Sequence, residues 1–216
     1  MDCNDLDKGP AATARTAQST LEVNKRPIVG TWNARDHMPR ERTQLRYQLY
    51  RSKARKLATV TITRLHHELE QKGLAYVDLS RVRFEAITPQ AMNAFRHWND
   101  PHFSWNEVAG WKTREPMCFD LAIWFDLELC GLCFANPNQS RQRVKIVRLE
   151  GSSAKCHPLK SLIASLSLTA VTHYAQIIGS KQIEIQEPVE GAIPTYQQLG
   201  FKFDIQGRLV MLVECD

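Results

Sequence analysis

The densest concentration of chemistry-bearing side chains in this 216-residue sequence is a run of cations. Between Asn24 and Arg64 stand eleven of them (Lys25, Arg26, Arg35, Arg40, Arg42, Arg46, Arg51, Lys53, Arg55, Lys56 and Arg64) against only Asp36 and Glu41, a local net charge of +9. The chain as a whole is +5, and residues 81–216 balance fourteen basic against fourteen acidic side chains. All the excess charge therefore lies in the first eighty residues, and a segment so charged calls for a polyanionic partner. Within it, Ala58-Thr-Val-Thr-Ile-Thr63 alternates small apolar residues with threonine, and four consecutive β-branched residues from Val60 to Thr63 disfavour a helix. A strand is predicted there, with Thr59, Thr61 and Thr63 on one face. Two such strands paired across a homodimer would form a ribbon able to enter a major groove. The threonine hydroxyls would then meet base edges, with Arg40, Arg42, Arg46, Arg51, Lys53, Arg55, Lys56 and Arg64 at the flanking phosphates. The expected partner is nucleic acid, DNA in preference to RNA.

The strand alone is similar to that of ribbon-helix-helix repressors, but only one short helix, Leu65 to Lys72 stopped by Gly73, fits before the next strand. The full motif is absent, so the likeness is one of principle. Other constellations point to less. Cys130-Gly-Leu-Cys133 sits in a predicted strand, where residues three apart face opposite ways and cannot share one ion. His66 and His67 project about 100° apart on a helix, and His157 and His173 lie about four and a half turns apart, so no metal site is expected. Six scattered cysteines suit a reducing compartment. With 43% hydrophobic and 24% charged residues, no apolar run of membrane-spanning length and an acidic N-terminus, the sequence predicts a cytoplasmic protein with no membrane partner.

The elements that must position these residues fall into three parts. Residues 1–39 lack periodicity and are expected to be mostly a flexible tail; 40–80 form a basic helix-strand-helix extension; 81–216 form an α+β body. In the body, Val82–Ile87 reads as a strand. Thr88 caps a helix with Pro89 in its first turn, and a second helix covers Trp105–Lys112. Cys118–Asp126 and Leu129–Ala135 make a hairpin, and Arg143–Leu149 a further strand. Leu159, Leu162, Ile163, Leu166, Ala170, Tyr174 and Ile177 recur at helical spacing from Pro158 to Gly179. Strand Gln182–Gln186, a helix ending at Gly200, and strands Phe201–Ile205 and Arg208–Glu214 close the chain.

This β-α-α-β-β-β-α-β-α-β-β order, together with Ala192-Ile-Pro-Thr-Tyr-Gln-Gln-Leu-Gly-Phe201, resembles the GNAT superfamily of N-acetyltransferases over about 135 residues. The resemblance implies a mixed sheet flanked by helices, in which strand Arg143–Leu149 splays from its neighbour. It also implies acyl-CoA contacts from Val147 and Leu149 on that strand and from Lys155 and Lys160 in the loop before the long helix, with Tyr196 as the acid that protonates the leaving thiolate. The loop departs from the family's pattern, since Pro158 replaces a glycine whose N–H should donate. Asp120, Asp126 and Glu128 are the carboxylates available as a base. Two functions follow. The first is a regulatory, DNA-binding protein whose GNAT-like domain is not catalytic and needs no cofactor. The alternative is an acetyl-CoA-dependent N-acetyltransferase acting on an acidic or nucleic-acid-associated substrate. The countable charge segregation favours the first.

Overall fold

The computed structural model describes residues 34–214 other than Lys155, with side chains described from Arg42 onward. Most of the expected tail lies outside the described residues, as does Lys155. The first element overturns an expectation: Ala34–Gln71 is one continuous helix, α1, with no strand at Ala58–Thr63. Burial decides the matter. Tyr47, Ala54, Ala58, Ile62 and His66 recur at spacings of four and seven and are all buried. The helical penalty of a β-branched residue is a fraction of a kcal/mol, about 0.7 at most. Burying Ile62 alone returns roughly 1.5–3 kcal/mol, so packing outweighs local preference. Gly73 ends the helix in the left-handed region, φ 66°, while Leu74 N–H closes back on the Leu69 carbonyl at 2.8 Å.

Seven strands follow the order β1-β2-β3-β4-β5-β7-β6. They are β1 Val82–Glu85, β2 Phe119–Phe125, β3 Glu128–Pro137, β4 Arg143–Gly151, β5 Gln182–Ile185, β6 Lys202–Phe203 and β7 Leu209–Leu212. Every pairing is antiparallel except β4 with β5. Helices α2 (Pro89–Phe95) and α3 (Trp105–Trp111) lie between β1 and β2, α4 (Ile163–Ile178) between β4 and β5, and α5 (Ile193–Gln198) before β6. Thr88 caps α2 by accepting from Ala91 N–H at 3.3 Å, as its position before Pro89 predicts. The resulting α+β mixed sheet flanked by helices is the GNAT-like arrangement implied by the element order.

Alternation along the strands divides the core. Phe119, Leu121 and Ile123 of β2 pack with α1 and α4 residues, whereas Ala122 and Trp124 pack with α2 and α3. Phe119 stacks on Tyr174 of α4, ring centroids 4.8 Å apart. One bulge breaks the alternation in β3: Ile123 pairs with Gly131 and Trp124 with Leu129, which leaves Cys130 as an extra residue. Cys130 and Cys133 consequently join the same core cluster instead of facing opposite ways. Burial pushes their thiols up to about 11 and about 12.

Helix α4 begins five residues later than predicted. Pro158 to Leu162 form turns in which Lys160 N–H reaches the His157 carbonyl and Leu162 N–H the Leu159 carbonyl, and Ser161 sits at φ 70°. Close approach to the sheet fixes the start, because a Cβ at position 131 would lie 2.7 Å from Ile163 Cγ2. Only glycine admits that contact without displacing Ile163.

Asp120 of β2, 2% exposed, holds three elements together. One carboxylate oxygen accepts from Ile87 N–H at 2.7 Å and from Lys112 Nζ at 2.6 Å, and Arg55 of α1 donates to the Asp120 carbonyl at 3.0 Å. Asp120 is thus a buried structural acceptor, contrary to its candidacy as a base. Asp126 is likewise committed, to Arg81. Asp120→Ala would strand an ammonium and an amide donor. It is expected to lower unfolding stability by about 3 kcal/mol in urea titration, while Lys202→Ala, on an exposed edge strand, stays within about 0.5 kcal/mol of the parent.

Candidate active site

A single irregularity opens the sheet. Phe134 pairs with Arg148 and Ala135 with Ile146, so Val147 has no partner in β3 and forms a bulge in β4. On its other side, β4 pairs with β5 only from Arg143 to Ile146, and the last bond between them is Gln186 N–H to the Ile146 carbonyl at 3.0 Å. Beyond that point β4 continues to Gly151 paired with β3 only. Two parallel strands that part at a bulge leave a cleft between them at the carboxyl end, where open sheets take ligands.

Two cavities meet there. One of about 310 Å³ runs along Val147, Leu149 and Gly151 of β4, faces Gln186 and Val189, and reaches Tyr196. The second, of about 380 Å³, is bounded by Trp111, Arg114, Glu115, Phe134 and Asn136. Val147 and Gln186 line both. The first is of a size that accepts a small organic ligand.

Side chains fix the walls. Arg148 donates to the Val147 carbonyl at 2.7 Å, its guanidinium 4.9 Å from the Phe103 ring centroid and 5.9 Å from that of Trp111. Glu150 accepts from His102 N–H at 2.5 Å, Phe103 N–H at 3.3 Å and Trp105 Nε1–H at 2.7 Å, which ties the α2–α3 connection to β4. In the second cavity Glu115 accepts from Asn136 Nδ2 at 2.9 Å. Tyr196 is 8% exposed, its ring edge-on to Phe201, and burial pushes its phenol up to about 12. It therefore stays protonated across the neutral range.

Of the residues the sequence placed at an acyl-CoA site, Val147, Leu149 and Tyr196 converge on the first cavity. Lys160 does not line either cavity. In its loop the N–H groups of Ser152, Ala154, Lys160 and Leu162 are already bonded, to the Cys130 carbonyl, the Ser152 hydroxyl and the His157 and Leu159 carbonyls, and Pro158 has none. Glu115, Asn136, Arg148, Glu150 and Gln186 escaped the sequence reading. Their signal was weak: a polar residue beside a strand end looks the same whether or not the strand parts from its neighbour.

The residues expected at a nucleic-acid ribbon are dispersed by the helix. Positions two apart on a helix are about 200° apart and positions four apart about 40°, so Thr59 and Thr63 share a side and Thr61 faces away from them. Thr59 Oγ1 donates to the Arg55 carbonyl at 3.1 Å, Thr61 bonds His173 Nε2 at 2.9 Å, and Thr63 lies beside Val60 and Arg64. Arg51 turns inward to the Pro116 and Cys118 carbonyls at 3.1 and 2.9 Å, and Arg55 to Asp120. Arg42, Arg46, Lys53, Lys56 and Arg64 remain exposed, while the Arg40 side chain lies outside the described residues.

No protein-family model matches the sequence, and no curated protein matches it. Among solved structures, the chain is similar to Ard1 from Thermoplasma volcanium, with 9% identity over 62% of this chain and 99% of that one and a TM-score of 0.48. It is also similar to the ribosomal-protein-S18-alanine N-acetyltransferase from Escherichia coli, at 11% identity over 62% and 96% and a TM-score of 0.48. A GNAT family acetyltransferase from Elizabethkingia anophelis with acetyl-CoA bound matches at 13% identity over 61% and 98%, TM-score 0.46. The fold is GNAT-like. Its strand order, single parallel pair and splayed fourth strand carry that statement.

Glu150→Ala is expected to free the connection before α3. Loss of three bonds to one carboxylate, at about 1–3 kcal/mol for the stranded donors, should speed amide exchange at His102 and Phe103 by roughly ten- to a hundredfold. Hydrogen exchange followed by mass spectrometry reads this directly, and exchange in β2 should stay unchanged.

Proposed function

We propose that the protein is an acyl-CoA-dependent N-acyltransferase that works at the β4–β5 cleft. The observation that carries this reading is the Val147 bulge at the point where the parallel strands part, with one cavity on each side of it. The reading displaces the regulatory, non-catalytic one that charge segregation favoured. A purely structural sheet has no need of two cavities joined at an unpaired strand residue, and two of the arginines invoked for DNA are bound inside the fold.

The acyl thioester supplies an activated carbonyl. The residues of this chain do the rest. The cleft beside Val147 and Leu149 receives the extended arm of the donor, and the cavity beyond receives the acceptor amine. Attack of the amine nitrogen on the carbonyl carbon forms the C–N bond and breaks the C–S bond; the departing thiolate accepts a hydrogen bond from the Tyr196 hydroxyl and is protonated from water, while the proton lost from the amine passes to Glu115 or to water. A phenol near 12 faces a thiol whose ordinary value is about 8.5. Tyr196 is thus a stronger hydrogen-bond donor to the thiolate than a proton source ahead of it, and it never titrates within the working range.

The loop before α4 fits the pyrophosphate of the donor poorly, since four of its amides are already bonded within the chain and Pro158 has no N–H. S-acetyl-pantetheine, which lacks the pyrophosphate, should therefore bind within about tenfold of acetyl-CoA, a difference of about 1.4 kcal/mol. Calorimetric titration tests both thioesters, and absence of heat with either up to millimolar concentration would refute the acyltransferase reading. With an acceptor in hand, Tyr196→Phe should lower kcat by about a hundredfold with little change in KM, and the parent's rate should show no loss from phenol ionisation below about pH 10, well under the Tyr196 value of about 12.

A further inference from the structure

The outward face of α1 is unaccounted for by the acyl-transfer site. From Arg42 to His67 the helix contains seven Lys and Arg residues and no Asp or Glu. Two of the seven, Arg51 and Arg55, serve the interior. The other five project away from the sheet. With about 100° per residue, Arg42, Arg46, Lys53, Lys56 and Arg64 fall within about 40° of one line down the helix, opposite the buried line of Ala54, Ala58 and Ile62. Leu49 and Val60, 71% and 65% exposed, lie on the same line.

Nothing described in the fold neutralises this row. Arg64 lies 3.8 Å from Glu68, an exposed pair of small worth. Among the described residues, no carboxylate comes within ion-pair distance of Arg42, Arg46, Lys53 or Lys56. Residues 1–33 carry four basic and four acidic side chains, so the chain before α1 holds no net countercharge. From Arg42 to Arg64 the row spans about 33 Å at 1.5 Å per residue, close to one turn of a duplex.

We propose that this face of α1 is a docking surface for the phosphate backbone of duplex nucleic acid. A straight row of like charges with no carboxylate among them complements an anion that repeats at fixed intervals over the same length. An acidic protein would have to present a matching straight row. The contact proposed is with the backbone and not with base edges, because the ribbon is replaced by a helix in which Thr61 is turned to His173 and Thr59 Oγ1 is bonded to the Arg55 carbonyl. The surface itself does not depend on the acyltransferase reading.

The test is fluorescence anisotropy of a labelled 24-base-pair duplex with the full chain between 50 and 200 mM NaCl. Five phosphate contacts give a slope of log K against log salt of about −4.5, a weakening of about 500-fold over that range. The triple variant Arg46→Gln, Lys53→Gln, Lys56→Gln removes three contacts and should bring the slope to about −1.8, a weakening of about 12-fold. Its melting temperature should match the parent's, since the three side chains are exposed. Lys181→Gln with Lys202→Gln, just before β5 and on β6, should leave the slope unchanged. An unaltered slope in the triple variant, or no binding of the duplex at 50 mM NaCl, overturns the proposal. So does poly-L-glutamate that competes as well as unlabelled duplex at equal charge, which would assign the face to acidic proteins.

Discussion

A carboxylate removed from water must be met by donors, and Asp120 shows how much of the fold is arranged to do so. Its partners come from the β1–α2 connection, through Ile87 N–H, and from the end of α3, through Lys112. Arg55 of α1 binds the backbone of the same residue and brings its guanidinium within 4.0 Å of the carboxylate. An unpaired charge in that position would cost several kcal/mol. The long helix on one side of β2 and the short helices near its start are therefore fixed to one residue, and the orientation of everything they carry follows. The outward row of cations on α1 is a consequence. Once Arg51 and Arg55 are committed inward, helical geometry sends Arg42, Arg46, Lys53 and Lys56 the other way.

The cleft has a different origin. Ladder hydrogen bonding would keep β4 and β5 together along their length, and one extra residue in β4 prevents it. Val147 shifts the register against β3 at the point where β5 ends its pairing, so the rest of β4 stays paired with β3 on one side and is free on the other. Arg148 and Glu150 then use the freed half of β4 as a platform. The first fills the space between Phe103 and Trp111, and the second gathers the amides of the α2–α3 connection. The opening at the site is supported by polar contacts made just behind it.

Much of the body was legible in the residues. Thr88 before Pro89, Gly179 after a helical run and Gly207 in a turn marked element ends by their own backbone chemistry, and alternation in Phe119–Phe125 announced a strand, though not that both of its faces are buried. From those signals the order of strands and helices could be written down, and the resemblance to the GNAT superfamily that this order carries pointed to Val147, Leu149 and Tyr196, which line one cavity. Residues 58–63 were misread because four β-branched side chains state a local preference. What outweighs it is the burial of Ala58 and Ile62 against a sheet whose strands lie far along the chain.

The sequence by itself determined the element order of the body, the segregation of charge and the side chains available for chemistry, because composition and spacing are properties of single segments. Tertiary structure alone decided which cations face water, which cysteines share a core and where the sheet opens. Each of these depends on a pairing partner: a bulge exists only relative to the strand beside it, and an arginine is spent or free only according to what the fold brings within its reach.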